Sequence, residues 1–279
     1  PSRGLGDVYK RQSKALSCKE LCRIAKEEGL GLDVVSGGEI YTAVQAGFPM
    51  KKVHFHGNNK TADEIRFALE SNVGKFVVDN LYELELLNEI CGEVGKKANI
   101  SFRIKPGVDA HTHNFIRTGQ IDSKFGFALE TGEAFEAVKK AQMYDNVNLT
   151  ELHCHIGSQI FDIDPFVTAA EIMLDFMGKI HDELGIVISE LNLGGGFGIM
   201  YTKDDEPVPY ENYMEKVSEA VKAKAKEHGL PVPYIFIEPG RSIVGEAGIT
   251  LYKVGGKKEI PNVRTYAVSY THLTLPTNS

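Results

Sequence analysis

One segment of the sequence, "LNLGGGFG", combines an apolar run with three consecutive glycines, Gly194, Gly195 and Gly196. Glycines let a backbone approach a ligand closely, and the start of a following helix would point N–H groups at an anion such as a phosphate. A flexible turn has the same composition, so the glycines alone do not separate the two interpretations. The segment is therefore a candidate phosphate-binding loop.

A second segment, "IFIEPGRS", places an acid and a base directly after another apolar run. Glu238 has the chemistry to pair with a protonated ring nitrogen, and Arg241 can grip a phosphate or a carboxylate in bidentate fashion. Gly240 offers another close backbone approach. The alternative is a structural ion pair between Glu238 and Arg241.

Histidines form a third pattern, with three His-x-His pairs in the chain: His54/His56, His111/His113 and His153/His155. Residues i and i+2 of a strand share a face, so such pairs can ligate a metal and would support a metal-dependent hydrolase. An inward histidine can instead lie flat against an aromatic cofactor. Because a metal site leaves the glycine loop and "EPGR" unexplained, the cofactor interpretation is favoured.

The elements that must position these residues alternate between strands and amphipathic helices. Seven strands are predicted: 31–36, 52–57, 75–79, 99–107, 148–158, 188–196 and 234–240. Alternation of this kind indicates a parallel sheet, and an eighth strand before Ser13 would complete a (β/α)₈ TIM-like barrel. An open doubly wound sheet is the alternative. In a barrel, the polar ends of these runs would meet at the C-terminal face, where such folds carry their chemistry.

The domain organisation follows from changes in character along the chain. Residues 13–245 are expected to form the barrel, and 246–268 the truncated start of a C-terminal β domain. Residues 1–12 stand where the first strand is needed but are charged and lack apolar alternation. They and residues 269–279 are therefore interpreted as non-native segments.

Composition narrows the range of partners. Of the 279 residues, 42% are hydrophobic and 25% are charged, with a formal net charge of −7. No basic cluster interleaved with aromatics suggests a nucleic-acid surface, and no apolar run is long enough to span a membrane. Four cysteines without a paired framework favour a reduced, cytoplasmic setting.

The motifs together resemble a known family, the pyridoxal-phosphate decarboxylases with an alanine-racemase-like barrel. The matching segments are "SKALSC", "GLDVVSGGE", "VHFHGNNKT", "ELHCHIGSQI", "LNLGGGFG" and "IEPGRSIVGEAG". The resemblance runs from about Ser13 to Val268, and it is greatest to the branch that acts on diaminopimelate.

The resemblance implies a role for each matching position. Lys14 would hold pyridoxal 5′-phosphate, His155 would stack on its ring and Glu238 would pair with the ring nitrogen; these three are the expected catalytic residues. The phosphate would be bound by Ser158 and the glycine loop, with Gly240 and Arg241 closing the site, and Arg241 would also meet a substrate carboxylate. The supporting polar positions are Asp33, Glu39 and Arg103.

The implied activity is decarboxylation of meso-diaminopimelate to L-lysine and CO₂ by a homodimer. The family's apolar strand before the lysine is replaced by "KRQ", and its second domain continues past "YAV", so this chain is expected to be inactive alone. The alternatives are a related decarboxylase for ornithine, arginine or carboxynorspermidine, the metal-dependent hydrolase, and a non-catalytic cofactor carrier. A minimal cofactor carrier would need neither the loop 105–125 nor a β domain, which argues against that alternative.

Overall fold

The structure, a computed structural model, describes residues 8–108, 124–249, 256–261 and 264–268. The chain divides into two compact units between Gly245 and Glu246. Within the described residues, no helix is both long and apolar enough to cross a membrane.

The first unit is a barrel of parallel strands. Its strands are β1 Val8–Gln12, β2 Gly31–Val34, β3 Val53–Phe55, β4 Lys75–Val78, β5 Ala98–Lys105, β6 Phe127–Ala128, β7 Val147–Cys154, β8 Glu190–Asn192 and β9 Tyr234–Ile237. Neighbours pair in the order β4-β3-β2-β1-β9-β8-β7-β5, and a β4–β5 pairing closes the ring. The two-residue β6 pairs only with the end of β5. The predicted (β/α)₈ barrel is confirmed, with all seven predicted strands present.

Helices follow the strands and cover the barrel. They are α1 Lys19–Glu27, α2 Gly37–Gln45, α3 Ala62–Glu70, α4 Leu81–Glu93, α5 Glu133–Ala141, α6 Asp164–Leu184, α7 Tyr210–Glu227 and α8 Arg241–Val244. Three of them begin at a side-chain cap, provided by Ser36, Thr61 and Asn80. Such caps satisfy N–H groups that the first helical turn leaves unpaired, so they fix where α2, α3 and α4 begin.

The first strand lies in a segment that the sequence interpretation left outside the barrel. Val8–Gln12 lies between β2 and β9, with Gln12 opposite Asp33 and Tyr9 opposite Ile237. The barrel therefore includes residues that were expected to lie outside it. Strand pairing uses backbone groups, and a barrel needs a strand here to leave no open edge, so the charged sequence "VYKRQ" serves without apolar alternation.

The second unit contains one described hairpin. Its strands, β10 Gly256–Ile260 and β11 Arg264–Val268, pair in antiparallel register. The described side chains of β10 are exposed.

The lumen of the barrel holds charged groups as well as the apolar residues usual in such folds. At the N-terminal end, the Lys75 amine contacts Glu190 and lies 3.0 Å from Glu151 Oε2. His54 Nδ1 lies 3.8 Å from Glu151 Oε1. A cavity of about 320 Å³ opens beside this cluster. A separate group of polar side chains lies at the C-terminal end and is described below.

A buried ion pair outside the lumen fixes the C-terminal ends of β3 and β4. Lys60 Nζ donates to Glu83 Oε1 at 2.7 Å, to the Val77 carbonyl at 2.7 Å and to the Gly57 carbonyl at 2.8 Å. Glu83 Oε2 accepts from the Asp79 N–H at 3.1 Å. Burial raises the pKa of Glu83, and the Lys60 charge opposes that shift. The pair therefore depends on both partners being present.

We expect Lys60→Met to lower the free energy of unfolding by about 3–5 kcal/mol, because it leaves the Glu83 carboxylate buried without a counter-charge. Chemical denaturation measures this. The control is Arg66→Met, which breaks an ion pair with Glu93 whose side chains are 40% and 47% exposed. That change should cost about 1 kcal/mol or less. Equal losses from the two variants would contradict the prediction, and Lys60→Met combined with Glu83→Leu should recover much of the loss.

Candidate active site

Glu238 lies at the centre of the C-terminal mouth, one residue beyond β9, and is 6% exposed. Asn192, the last residue of β8, donates from Nδ2 to Glu238 Oε1 at 2.7 Å. The same asparagine accepts the Gly194 N–H at 2.9 Å, and the Glu238 N–H donates to the Gly194 carbonyl at 2.8 Å. The carboxylate and the glycine loop are therefore positioned by one hydrogen-bonded unit.

Two imidazoles complete the surroundings of this carboxylate. His153 Nε2 lies 3.3 Å from Glu238 Oε1 and 3.4 Å from Oε2. His56 Nε2 lies 3.3 Å from Glu238 Oε1 and 3.4 Å from Asp33 Oδ1. Burial alone would raise the pKa of Glu238, but His56 and His153 hold it well below the usual value. Glu238 is therefore an ionised acceptor inside the protein.

The two imidazoles differ in charge. Burial lowers the pKa of His56, but the carboxylates of Glu238 and Asp33 outweigh it and raise that pKa to about 9. For His153, burial lowers the pKa, and the nearby His56 and Arg103 add to this effect. At neutral pH, His56 is an imidazolium and His153 is a neutral ring.

The three glycines pack against the ends of the neighbouring strands. A Cβ on Gly195 would overlap the Glu238 carbonyl, and one on Gly196 would overlap the Gly157 carbonyl. A Cβ on Gly194, where φ is +71°, would lie 2.6 Å from the Cys154 carbonyl oxygen. The close approaches visible in the structure are thus to the protein's own backbone.

The expectation that a helix directly follows the glycine loop is wrong. The next helix along the chain is α7, which begins at Tyr210. The short helix α8 begins instead at Arg241, with Gly240 as its N-cap. The chain leaves the glycine loop through an isolated bridge between Phe197 and Ile160, which holds the loop against the segment after β7.

Ser158 and Arg241 lie together at the rim of the mouth. Arg241 Nη2 donates to Ser158 Oγ at 3.2 Å, and Arg241 Nη1 donates to the Tyr201 hydroxyl at 2.6 Å. Both Ser158 and Arg241 are exposed. A hydroxyl and a guanidinium that face solvent beside the glycine loop form a suitable anion site.

Lys14 and His155 also lie at the mouth. Lys14 is exposed in a short 3₁₀ turn, Ser13–Ala15, directly after β1. His155 follows β7 and is an exposed residue. Protein atoms nevertheless surround its imidazole closely, and this desolvation lowers its pKa to about 4. The charges of Arg103 and Lys14 act in the same direction, which places the Lys14 amine within electrostatic range of the ring.

Arg103 lies on β5, half-buried, with its guanidinium 4.4 Å from the centroid of the Phe125 ring. The carboxylates of Asp79 and Glu238 attract it, although burial lowers its pKa. Burial raises the pKa of Asp79, although a hydrogen bond from the Gly126 N–H and the charges of Arg103 and Lys60 oppose that shift. Arg103 therefore belongs to the same charged group as Glu238.

Among the predicted site residues, Glu39 uses its carboxylate to bind backbone at the start of a helix. Its Oε2 accepts the Val35 N–H at 2.8 Å, and its own N–H donates to Ser36 Oγ at 3.3 Å. This reciprocal arrangement caps the start of α2. Glu39 thus fixes how the chain leaves β2, next to Asp33.

The His-x-His pairs are distributed differently from the expectation. His56 and His153 meet at Glu238, and ligand atoms of the three lie close enough to share a metal ion. His54 lies with Glu151 at the other end of the barrel, and His155 is beyond the end of β7. His111 and His113 lie outside the described residues. No His-x-His pair among the described residues therefore acts as a unit.

A barrel with a buried anionic carboxylate, a glycine loop and a lysine at its mouth has the features of a site for a phosphorylated aromatic cofactor. The pyridoxal-binding domain of the pyridoxal-dependent decarboxylases matches residues 10–245 of this chain. The chain belongs to this family.

Named relatives refine the comparison. The chain is 52% identical to the diaminopimelate decarboxylase of Bacillus subtilis (strain 168) over 95% of this chain and 60% of the relative. It is 54% identical to that of Halalkalibacterium halodurans over 91% of this chain and 58% of the relative. The crystal structure of diaminopimelate decarboxylase from M. jannaschii matches with a TM-score of 0.83 at 40% identity, over 95% of this chain and 60% of that one. The chain thus spans about 60% of the length of these relatives.

Sequence reasoning missed two members of the site and misjudged a third. Asn192 precedes the glycine loop in "LNLGGG", and its position at a strand end was the available signal. Tyr201 carries no motif. His56 was considered only as a metal ligand, because the two carboxylates that surround its ring are far from it in sequence.

We expect Gly195→Ala to lower the free energy of unfolding by about 1–3 kcal/mol, because the added methyl overlaps the Glu238 carbonyl and the neighbouring backbone must move. The matched control is Gly38→Ala in α2, where the nearest heavy atom to a new Cβ is Ser36 Oγ at 3.8 Å. That change should stabilise by about 0.5–1 kcal/mol. Thermal and urea unfolding measure the stability of both variants. A Gly195→Ala protein as stable as the parent would contradict the prediction.

Proposed function

We propose that this protein decarboxylates meso-diaminopimelate to L-lysine and CO₂ with pyridoxal 5′-phosphate as cofactor. The observation that carries the proposal is the buried, ionised Glu238 at the barrel mouth. Support comes from the family match over residues 10–245 and from relatives named diaminopimelate decarboxylase at 52% and 54% identity. One related structure, 39% identical, is a complex with L-lysine, the proposed product.

The described residues fit the cofactor. The Ser158 hydroxyl, the Arg241 guanidinium and the backbone of the glycine loop would bind its phosphate. Glu238 would accept a hydrogen bond from its ring nitrogen, and the neutral ring of His155 would pack on its aromatic face. Lys14, exposed in the turn after β1, would supply the amine that attaches it. Each of these groups lies at the C-terminal face of the barrel.

When bound, the cofactor supplies an electron sink for the pair of electrons left at Cα as CO₂ departs. The protein's part is to keep that sink strong. Glu238 would stabilise a proton on the ring nitrogen because its own pKa is held low, whereas a cation at this position would weaken the sink. The Lys14 amine would move a proton at Cα, and Arg241 would hold a substrate carboxylate.

Supporting roles for Asp33, Glu39 and Arg103 complete the proposed site. Asp33 contacts His56, and Arg103 is attracted by Glu238, so both act on the group that would receive the ring nitrogen. Glu39 would act through the cap of α2.

A homodimer and a cytoplasmic location are also part of the proposal. The resemblance implies the dimer. The location is supported by the cysteines, all four of which are free: Cys18, Cys22, Cys91 and Cys154. Free thiols are typical of proteins in reducing compartments.

We expect Lys14→Ala to abolish the visible absorbance of the attached cofactor and to abolish turnover in the full gene product. Borohydride reduction of the parent protein, followed by peptide mass spectrometry, should find a pyridoxyl group on Lys14. The control is Lys19→Ala, an exposed lysine at the start of α1, which should keep both properties. A variant without Lys14 that retained attachment and turnover would refute the proposal.

The substrate is tested by CO₂ release from a panel of meso-diaminopimelate, ornithine, arginine and carboxynorspermidine. We expect meso-diaminopimelate to exceed the others in kcat/KM by on the order of 10³, since a site built for a second polar group rejects analogues that lack it. Preference for another member would move the protein to a different branch of the family. Metal analysis of the same sample addresses the hydrolase alternative, for which stoichiometric zinc would be required.

A further inference from the structure

The carboxylate of Glu238 shares its surroundings with a second carboxylate, that of Asp33, and His56 stands between them. His56 Nε2 lies 3.4 Å from Asp33 Oδ1 and 3.3 Å from Glu238 Oε1. The exposures of His56, Asp33 and Glu238 are 3%, 0% and 6%. Two carboxylates enclosed this closely would repel each other and favour uptake of a proton by one of them.

The charged groups around His56 come from several strands. Asp33 on β2 and Glu238 after β9 are acidic, His153 on β7 is a neutral imidazole at neutral pH, and Arg103 on β5 acts on Glu238 and His153. The rings of His56 and His153 meet edge to face, with centroids 5.1 Å apart. Asn192 on β8 contributes only an amide. Among these groups, His56 is the cation that contacts both carboxylates.

We propose that His56 is a positioning residue for the proposed reaction, an imidazolium that bridges Asp33 and Glu238 and so keeps Glu238 ionised and oriented for the cofactor's ring nitrogen. This inference rests on the proposed function. With two carboxylates and one imidazolium, the trio carries one net negative charge, which the protonated ring nitrogen would balance. Without the imidazolium, Glu238 can accept a proton itself and no longer keep one on the ring.

The pH dependence follows from the direction of the shift. The pKa of His56 is raised from 6.5 to about 9, so its contribution to stability is fully present below pH 6.5 and is lost as pH rises through about 9. Above that range Asp33 and Glu238 face each other without the cation between them, and their repulsion should move the Glu238 carboxylate from the position that would receive the ring nitrogen. Cofactor affinity of the parent protein should therefore fall as pH approaches and passes about 9.

The strand supplies a matched control. His54 lies two residues earlier on β3 and is also buried, but it lies near Glu151 at the opposite end of the barrel. His56→Gln and His54→Gln both remove a buried imidazole, the first directly after β3 and the second within it. Only the first removes a charge that contacts Glu238.

The experiment uses the full gene product with isotope-labelled histidine, free of cofactor and loaded with pyridoxal 5′-phosphate. We expect the imidazole of His56, assigned by its loss in His56→Gln, to titrate near pH 9 in the cofactor-free protein. His56→Gln should lower kcat on the order of tenfold or more with little change in KM, and should remove the alkaline fall in cofactor affinity. His54→Gln should leave kcat and the pH profile as in the parent.

A His56 titration midpoint at or below 6.5, or an equal kcat loss in both variants, would overturn the inference. If His56→Gln does not fold, titration of the parent still decides it, with assignment through the shift caused by Asp33→Asn. The proposed function fails separately, through Lys14→Ala and the substrate panel. A protein with a charged His56 that neither attaches the cofactor at Lys14 nor releases CO₂ would refute the proposed function and leave the charge state of His56 established.

Discussion

The anionic carboxylate of Glu238 is the constraint on which the mouth of this barrel depends. An ionised group removed from water is costly unless partners surround it, and here they come from three other strands, through His56, His153 and Asn192. These strands can present those partners only when the sheet has closed into a barrel. The site therefore forms only when the barrel closes. Closure needs a strand between β2 and β9, and the charged segment "VYKRQ" provides it.

Charge in the lumen is divided between its two ends. Lys75, Glu151, Glu190 and His54 form a cluster at the N-terminal end, in which the Lys75 amine contacts both carboxylates. At the mouth, Glu238 and Asp33 share the His56 imidazole, and Arg103 is half-buried beside them. A cavity of about 320 Å³ lies at the N-terminal end, whereas the glycine loop and the exposed Ser158–Arg241 pair lie at the mouth. Because these groups suit an anion such as a phosphate, the chemistry of the side chains rather than cavity volume locates the candidate site.

Periodicity predicted much of the fold, because alternating strands and helices are a local signal. All seven predicted strands are present, and the glycine loop and "EPGR" do meet at one end of the barrel. The first strand could not be found this way, since its pairing uses backbone groups that no side-chain pattern reports. The state of His56 was equally hidden: its pKa depends on Asp33 and Glu238, which only the folded barrel brings to the same ring.

Residues that resemble ligand contacts in sequence can be required by the fold itself. The glycine loop shows this, because each Cβ would collide with a neighbouring strand end before any ligand is considered. Glu39 shows it again, with its carboxylate used to cap α2. Neither observation removes these residues from the site: a loop that must pack closely against Glu238 is held rigidly, and a rigid loop loses little entropy when it binds a phosphate. Tight packing is thus how this fold can pre-organise an anion site. Substitutions of the loop glycines will therefore affect both protein stability and phosphate binding.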